Sequence, residues 1–174
     1  PDLVILHIDA HADLRPEYEG SPLSHACIMA RARQMGIPLA QIGIRSICAD
    51  QRDYMRTQAP EDLLTLFAWD LPAPTEAARR VRAFIGARPL YISFDVDGMD
   101  PSVIPGTGTP EPGGILYAWM MRFWTELWRE GSGPALVGMD MCDLAPIHGS
   151  QVSETAAVKL LQRVFTAWLG SRTA

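Results

Sequence analysis

Cys27, Cys48 and Cys142 are the only cysteines in 174 residues, too few and too scattered for a disulfide framework, and no Cys-x-x-Cys pair is present to hold a structural zinc. They read as reduced, mostly packed thiols of a cytoplasmic protein. No apolar run approaches the roughly 20 residues needed to span a bilayer, and no signal peptide is visible. There is no dense Lys/Arg run either: 15 basic residues stand against 20 acidic ones, for a net charge of −5. That balance argues against a nucleic-acid or anionic-membrane partner. Repeats and low-complexity segments are absent. What remains is a chain 48% hydrophobic and 20% charged, the composition of a globular protein with one buried core, taken here as a single domain over residues 1–174.

Short apolar runs alternate with helical patterns, the βα rhythm of a parallel sheet covered on both faces. The pattern predicts strands near 3–8, 40–45, 64–68, 89–96 and 135–140, and helices near 25–35, 50–57, 75–86, 116–129 and 154–169. In the last helix Ser153 is the expected N-cap, Gly170 the expected stop, and Ala157, Leu160, Leu161, Val164, Phe165 and Trp168 the apolar stripe. Trp119, Phe123, Trp124, Leu127 and Trp128 form a bulky face expected to pack on the sheet rather than to bind a ligand. Residue 1 is Pro and Leu3-Val4-Ile5-Leu6 is already a buried-strand run, so an upstream segment is expected to be missing.

Two acidic clusters carry the chemistry. Asp9-Ala10-His11-Ala12-Asp13 follows the first strand, and Ser93-Phe94-Asp95-Val96-Asp97-Gly98-Met99-Asp100-Pro101 closes the fourth. In an open α/β sheet the C-terminal strand edge is where ligands bind. Alternation along an extended segment turns residues i, i+2 and i+4 the same way, so Asp9, His11 and Asp13 can converge, and Asp95 with Asp97 repeats the arrangement. Asp often caps helices or closes turns, but two such clusters at two strand ends favour a pair of divalent cations. Asp100 suits a turn role and a supporting role at the site equally. The Pro/Gly-rich stretch 101–114 reads as a site loop.

These residues resemble the ureohydrolase family of arginases, agmatinases and their relatives. The resemblance runs through the two clusters, through Gln41-Ile42-Gly43-Ile44-Arg45, and through Pro105-Gly106-Thr107-Gly108-Thr109-Pro110-Glu111-Pro112-Gly113-Gly114, which is similar to the agmatinase branch. It implies an α/β fold, a three-layer αβα arginase-like sandwich around a parallel sheet, here the C-terminal portion without its N-terminal strands. It also implies two Mn²⁺ ions, with Asp9 and Asp95 bridging, Asp13 completing one shell, and His11 with Asp97 the other. The family's further ligand, a His in an upstream Gly-Gly-x-His segment, is not in this sequence. His7 lies in the strand before the cluster and is read as a packing residue.

By the same resemblance, a metal-bridging hydroxide hydrolyses a guanidino compound to urea and an amine. Agmatine is the expected substrate, since the loop 14–22 lacks the arginase pattern. Asp143 stands where the family has a guanidinium-binding Glu, a carboxylate one methylene shorter. His25 matches a loop histidine that carries a proton to the leaving amine, and Ser24 is the expected N-cap of the helix that follows it. His148 is a loop residue without a motif. The alternatives are guanidinobutyrate, formiminoglutamate or arginine as substrate, or a non-catalytic relative with an assembly or regulatory role. Homo-oligomers are common in the family.

Overall fold

The computed structural model describes residues 2–59, 61–129 and 133–172, so Pro1 lies outside the described residues. Five strands form one parallel sheet: β1 (Val4–Ile8), β2 (Leu39–Ile44), β3 (Leu63–Phe67), β4 (Leu90–Asp95) and β5 (Leu136–Cys142), in the order β3-β2-β1-β4-β5. Helices α1 (Ile28–Gln34), α2 (Ala49–Thr57), α3 (Pro74–Ile85), α4 (Tyr117–Leu127) and α5 (Val152–Ser171) cover it. Among the described residues no helix is long and apolar enough to cross a membrane.

Alternation in the central strands sorts the core into two layers. Val4, Leu6 and Ile8 of β1, with Ala40 and Ile42 of β2, face a large cluster built from α3, α4 and α5. Ile5 and Leu39 face the other way, against Met29 of α1 and Tyr54 and Met55 of α2. This is the three-layer arrangement, with the sheet in the middle. The two polar residues of that second face, His7 and Gln41, are buried and stand opposite each other in the β1–β2 register.

Helix α3 starts on Pro74, whose fixed φ suits a first helical position, and buries Ala77, Ala78, Val81 and Ile85. The aromatic face of α4 is core as expected: Phe123, Trp124 and Trp128 are buried, with Trp119 stacked on Phe123 at 5.4 Å. Three expectations for α5 fail. The helix begins at Val152 and runs through Gly170 to Ser171, so neither Ser153 nor Gly170 bounds it. Ser153 is buried inside the first turn because its Oγ accepts the Gly106 N–H at 2.8 Å, which ties the helix to the 105–114 loop. Phe165 of the supposed stripe is 43% exposed. Ser24 precedes a 3-10 turn (His25–Cys27) and makes no side-chain cap. Its hydroxyl lies 3.5 Å from His25 Nδ1 instead.

Candidate metal centre

Asp9, His11 and Asp13 leave the end of β1 along an extension of β2. Arg45 and Ser46 donate their backbone N–H groups to Ala10 O, and His11 bridges to Ser46. The extended alternation turns Asp9 and His11 the same way. Asp13 then adopts a positive φ of 52°, a conformation that Asp tolerates better than most side chains. Asp95 ends β4. Asp97 does not continue the strand: Val96–Gly98 form a 3-10 turn, and the Asp97 N–H donates to Asp95 Oδ1 at 2.9 Å. The second cluster therefore converges through a turn rather than through strand alternation.

The two clusters meet. Asp97 Oδ1 accepts the Ala10 N–H at 3.0 Å, and His11 Nδ1 lies 3.0 Å from Asp97 Oδ2 and 3.4 Å from Asp9 Oδ1. Ligand atoms lie within 4.8 Å of one another in three groups: His7 with Asp9 and Asp13, Asp9 with His11 and Asp97, and Asp95 with Asp97 and Asp143. The approach is close because Gly98 has no side chain; a Cβ there would stand 2.7 Å from Asp9 N.

Crowding shows in the electrostatics. Burial, then the neighbouring Asp9 and Asp97, pushes Asp95 up to about 8. Burial, then Asp9, pushes Asp13 up to about 6. Burial acts on Asp9 too, but His7 and His11 overcome it and hold Asp9 well below the usual carboxylate range. Hydrogen bonding to Asp9 and Asp97 drives His11 up to about 10. The carboxylates that favour the His11 imidazolium are the same ones whose charge a metal ion would offset. A donor set of carboxylates and imidazole suits hard or borderline divalent cations, so the residues fit the expected ions.

His7 is more than packing. Its Nε2 lies 2.9 Å from Asp9 Oδ2, and Gln41 Nε2 lies 3.0 Å from its Nδ1 while donating to Ala12 O. Burial disfavours its imidazolium, yet Asp9, helped by Asp13 and Asp97, raises its pKa. The alternation that turns Asp9 and His11 the same way also runs back to position 7, and this is the sequence signal for it. Asp100 takes the turn role: Oδ1 accepts from Ser102 N, and Oδ2 from Gly113 N and Gly114 N. Cys142, an exposed thiol rather than a packed one, rests 3.5 Å from Asp95 Oδ2.

The centre opens into a cavity of about 490 Å³ whose wall includes Tyr18, His25, Thr109 and Asp143. His25 is exposed there, its ring edge-on to Tyr18 with centroids 5.8 Å apart. Asp143, at a positive φ of 61°, accepts from Thr107 Oγ1 and from Gly108 N through the same oxygen, Oδ2. Oδ1 takes neither bond. His148 is exposed in its loop and does not line this cavity.

Comparison with known proteins accords with this geometry. The sequence model of the arginase family matches residues 1–166. The chain is 34% identical over 164 residues to the N(1)-aminopropylagmatine ureohydrolase of Synechocystis sp., spanning 94% of this chain and 52% of that protein. It is 33% identical over 172 residues to the agmatinase of Bacillus cereus, spanning 97% of this chain and 56% of that one. A hypothetical agmatinase from Burkholderia thailandensis superposes with a TM-score of 0.83 at 27% identity, over 99% of this chain and 53% of its own. The chain spans about half the length of the curated relatives it matches.

Proposed function

The chain belongs to the arginase family, and on that premise we propose that it acts in the Mn²⁺-dependent hydrolysis of a linear guanidino compound, agmatine or a close relative, to urea and an amine. Relatives named for agmatine and for aminopropylagmatine support that substrate class. The observation that carries the chemistry is Asp97, whose carboxylate meets Ala10 N–H from one cluster and His11 Nδ1 at 3.0 Å each. That contact supports a single site built from Asp9, His11, Asp13, Asp95 and Asp97.

Asp9, His11, Asp13, Asp95 and Asp97 would hold the ions. Bound there, divalent cations lower the pKa of water toward roughly 7 and so supply a nucleophile at neutral pH. The protein's own groups do the rest. Asp143 Oδ1 receives one N–H of the guanidinium, while Thr107 and Gly108 keep Oδ2 and hold the carboxylate in place. A carboxylate held through one oxygen makes a single contact, where a free one could make the bidentate pair preferred for guanidinium. His25, exposed on the cavity wall, carries a proton to the departing amine nitrogen.

The test is urea release by the Mn²⁺-loaded protein from agmatine, N(1)-aminopropylagmatine, arginine and guanidinobutyrate. Turnover fastest with one of the two amine-ended compounds is expected. Tight Mn²⁺ binding with no urea from any of them would favour the second reading, a non-catalytic relative, to which the partly engaged Asp143 lends weight.

A further inference from the structure

The loop 105–114 contributes Thr107, Gly108 and Thr109 to the centre, and the Glu111 carboxylate takes no part in those contacts. Its backbone is held firmly. Arg45 donates from Nη2 and Nε to Glu111 O, at 2.5 and 3.2 Å, and from Nε to Pro112 O at 3.1 Å. The same guanidinium reaches Gly43 O at 3.1 Å, Asp97 O at 2.8 Å, Gly98 O at 3.4 Å and Met99 O at 3.3 Å. One side chain therefore fastens the end of β2, the turn carrying Asp97, and the backbone of Glu111 to each other.

From that anchored backbone the Glu111 carboxylate points at the metal centre. Glu111 Oε1 lies 3.9 Å from His11 Nε2, while His11 Nδ1 faces Asp9 and Asp97. The two ring nitrogens thus have opposite surroundings, carboxylates of the centre on one side and a lone loop carboxylate on the other. An imidazole that offers Nδ1 to a metal must carry its proton on Nε2, and a carboxylate receiving that proton fixes both the tautomer and the ring angle.

We propose that Glu111 is the carboxylate partner of His11, a positioning residue that accepts a hydrogen bond from Nε2–H and holds Nδ1 toward the metal, with Arg45 as the anchor of its backbone. The proposal rests on His11 being a metal ligand. The 3.9 Å separation is that of an ion pair, and the proposal requires it to shorten to hydrogen-bond length when the metal is bound. Ordinary loop closure would not require a carboxylate at this position, since Arg45 holds Glu111 through the main chain.

The experiment compares the wild-type chain with Glu111→Gln and Glu111→Ala, titrated with Mn²⁺ by calorimetry and by electron paramagnetic resonance. Visible absorption of the Co²⁺-loaded protein reports the ligand geometry independently. Loss of a partner of this kind typically weakens metal affinity about 10–100-fold. That loss is expected at one site only, with a changed Co²⁺ spectrum, the amide variant less affected than alanine, and an unaltered melting temperature without metal. Unchanged affinities, or equal weakening of every site together with a lowered melting temperature, would overturn the proposal. A wild-type chain that bound no divalent cation would instead remove the metal reading, and the proposal with it.

Discussion

The backbone N–H of Ala10 donates to Asp97 Oδ1 at 3.0 Å, so the segment leaving β1 grips a carboxylate from the turn after β4. The other oxygen of Asp97 accepts from Thr109 Oγ1 at 2.9 Å and faces His11 Nδ1. Asp97 is 2% exposed, so these partners replace water entirely. Asp97→Ala removes one member of a buried charged pair and leaves His11, Ala10 N–H and Thr109 without it. A loss of about 3–5 kcal/mol is expected, read by urea denaturation of the metal-free protein, together with loss of tight Mn²⁺ binding.

Ser153→Ala tests the tie between α5 and the site loop. The buried Gly106 N–H, which donates to Ser153 Oγ, would lose that acceptor. Leaving a buried donor unpaired costs about 1–3 kcal/mol. Denaturation should show a loss in that range, and affinity for Mn²⁺ should fall less than in Asp97→Ala, because Ser153 reaches the centre only through the loop.

Gly98→Ala places a methyl 2.7 Å from Asp9 N and 2.9 Å from Ile8 Cγ2. Backbone atoms cannot step aside as a flexible side chain can, so the two strand ends must separate. Overpacking of this kind costs about 1–3 kcal/mol or more. The measurement is a fall in melting temperature accompanied by loss of Mn²⁺ affinity; retention of both would mean that the close approach of the two clusters is not needed.

Asp143→Glu lengthens the proposed guanidinium-binding arm by one methylene. Displacements of about 1 Å can cost around 100-fold in rate, so the change should alter kcat, substrate preference, or both. Steady-state kinetics on agmatine and arginine read it. Unchanged values for both substrates would remove Asp143 from the guanidinium contact.

The metal-free protein should lose stability as pH rises. Asp13, at about 6, and Asp95, at about 8, keep protons in the folded state that the unfolded chain has already released. Their contribution is complete below about pH 4 and disappears as pH climbs through 6 and then 8. His11 slopes the same way, from its unfolded value near 6.5 up to about 10. Asp9, lowered, matters only in strong acid. Melting temperatures of the metal-free protein should fall across this range. Mn²⁺ needs these groups deprotonated, so its binding near neutral pH should release protons, measurable by calorimetry in buffers of different ionisation enthalpy.

The parallel α/β fold was readable from local pattern because buried strands such as Leu39–Ile44 are almost continuously apolar and are separated by helices of helical period. Helix ends were less so. Ser153 looked like a cap because serine at a helix start usually is one, whereas here a loop distant in sequence claimed its hydroxyl. His7 looked like packing because a strand interior is normally apolar, and only its opposite position to Gln41 and its contact with Asp9 reveal its part in the centre.

Residue type and two-residue spacing, by themselves, determined that Asp9, His11 and Asp13 could point together at a strand end, because extended backbone alternates strictly. Tertiary structure alone decided that Asp97 joins them from a 3-10 turn, that Glu111 faces the far side of His11, and that Asp143 is held by Thr107 and Gly108. Those contacts span 35 to 100 residues of chain. They depend on which strands neighbour each other and how closely Gly98 lets them approach, which no local pattern encodes.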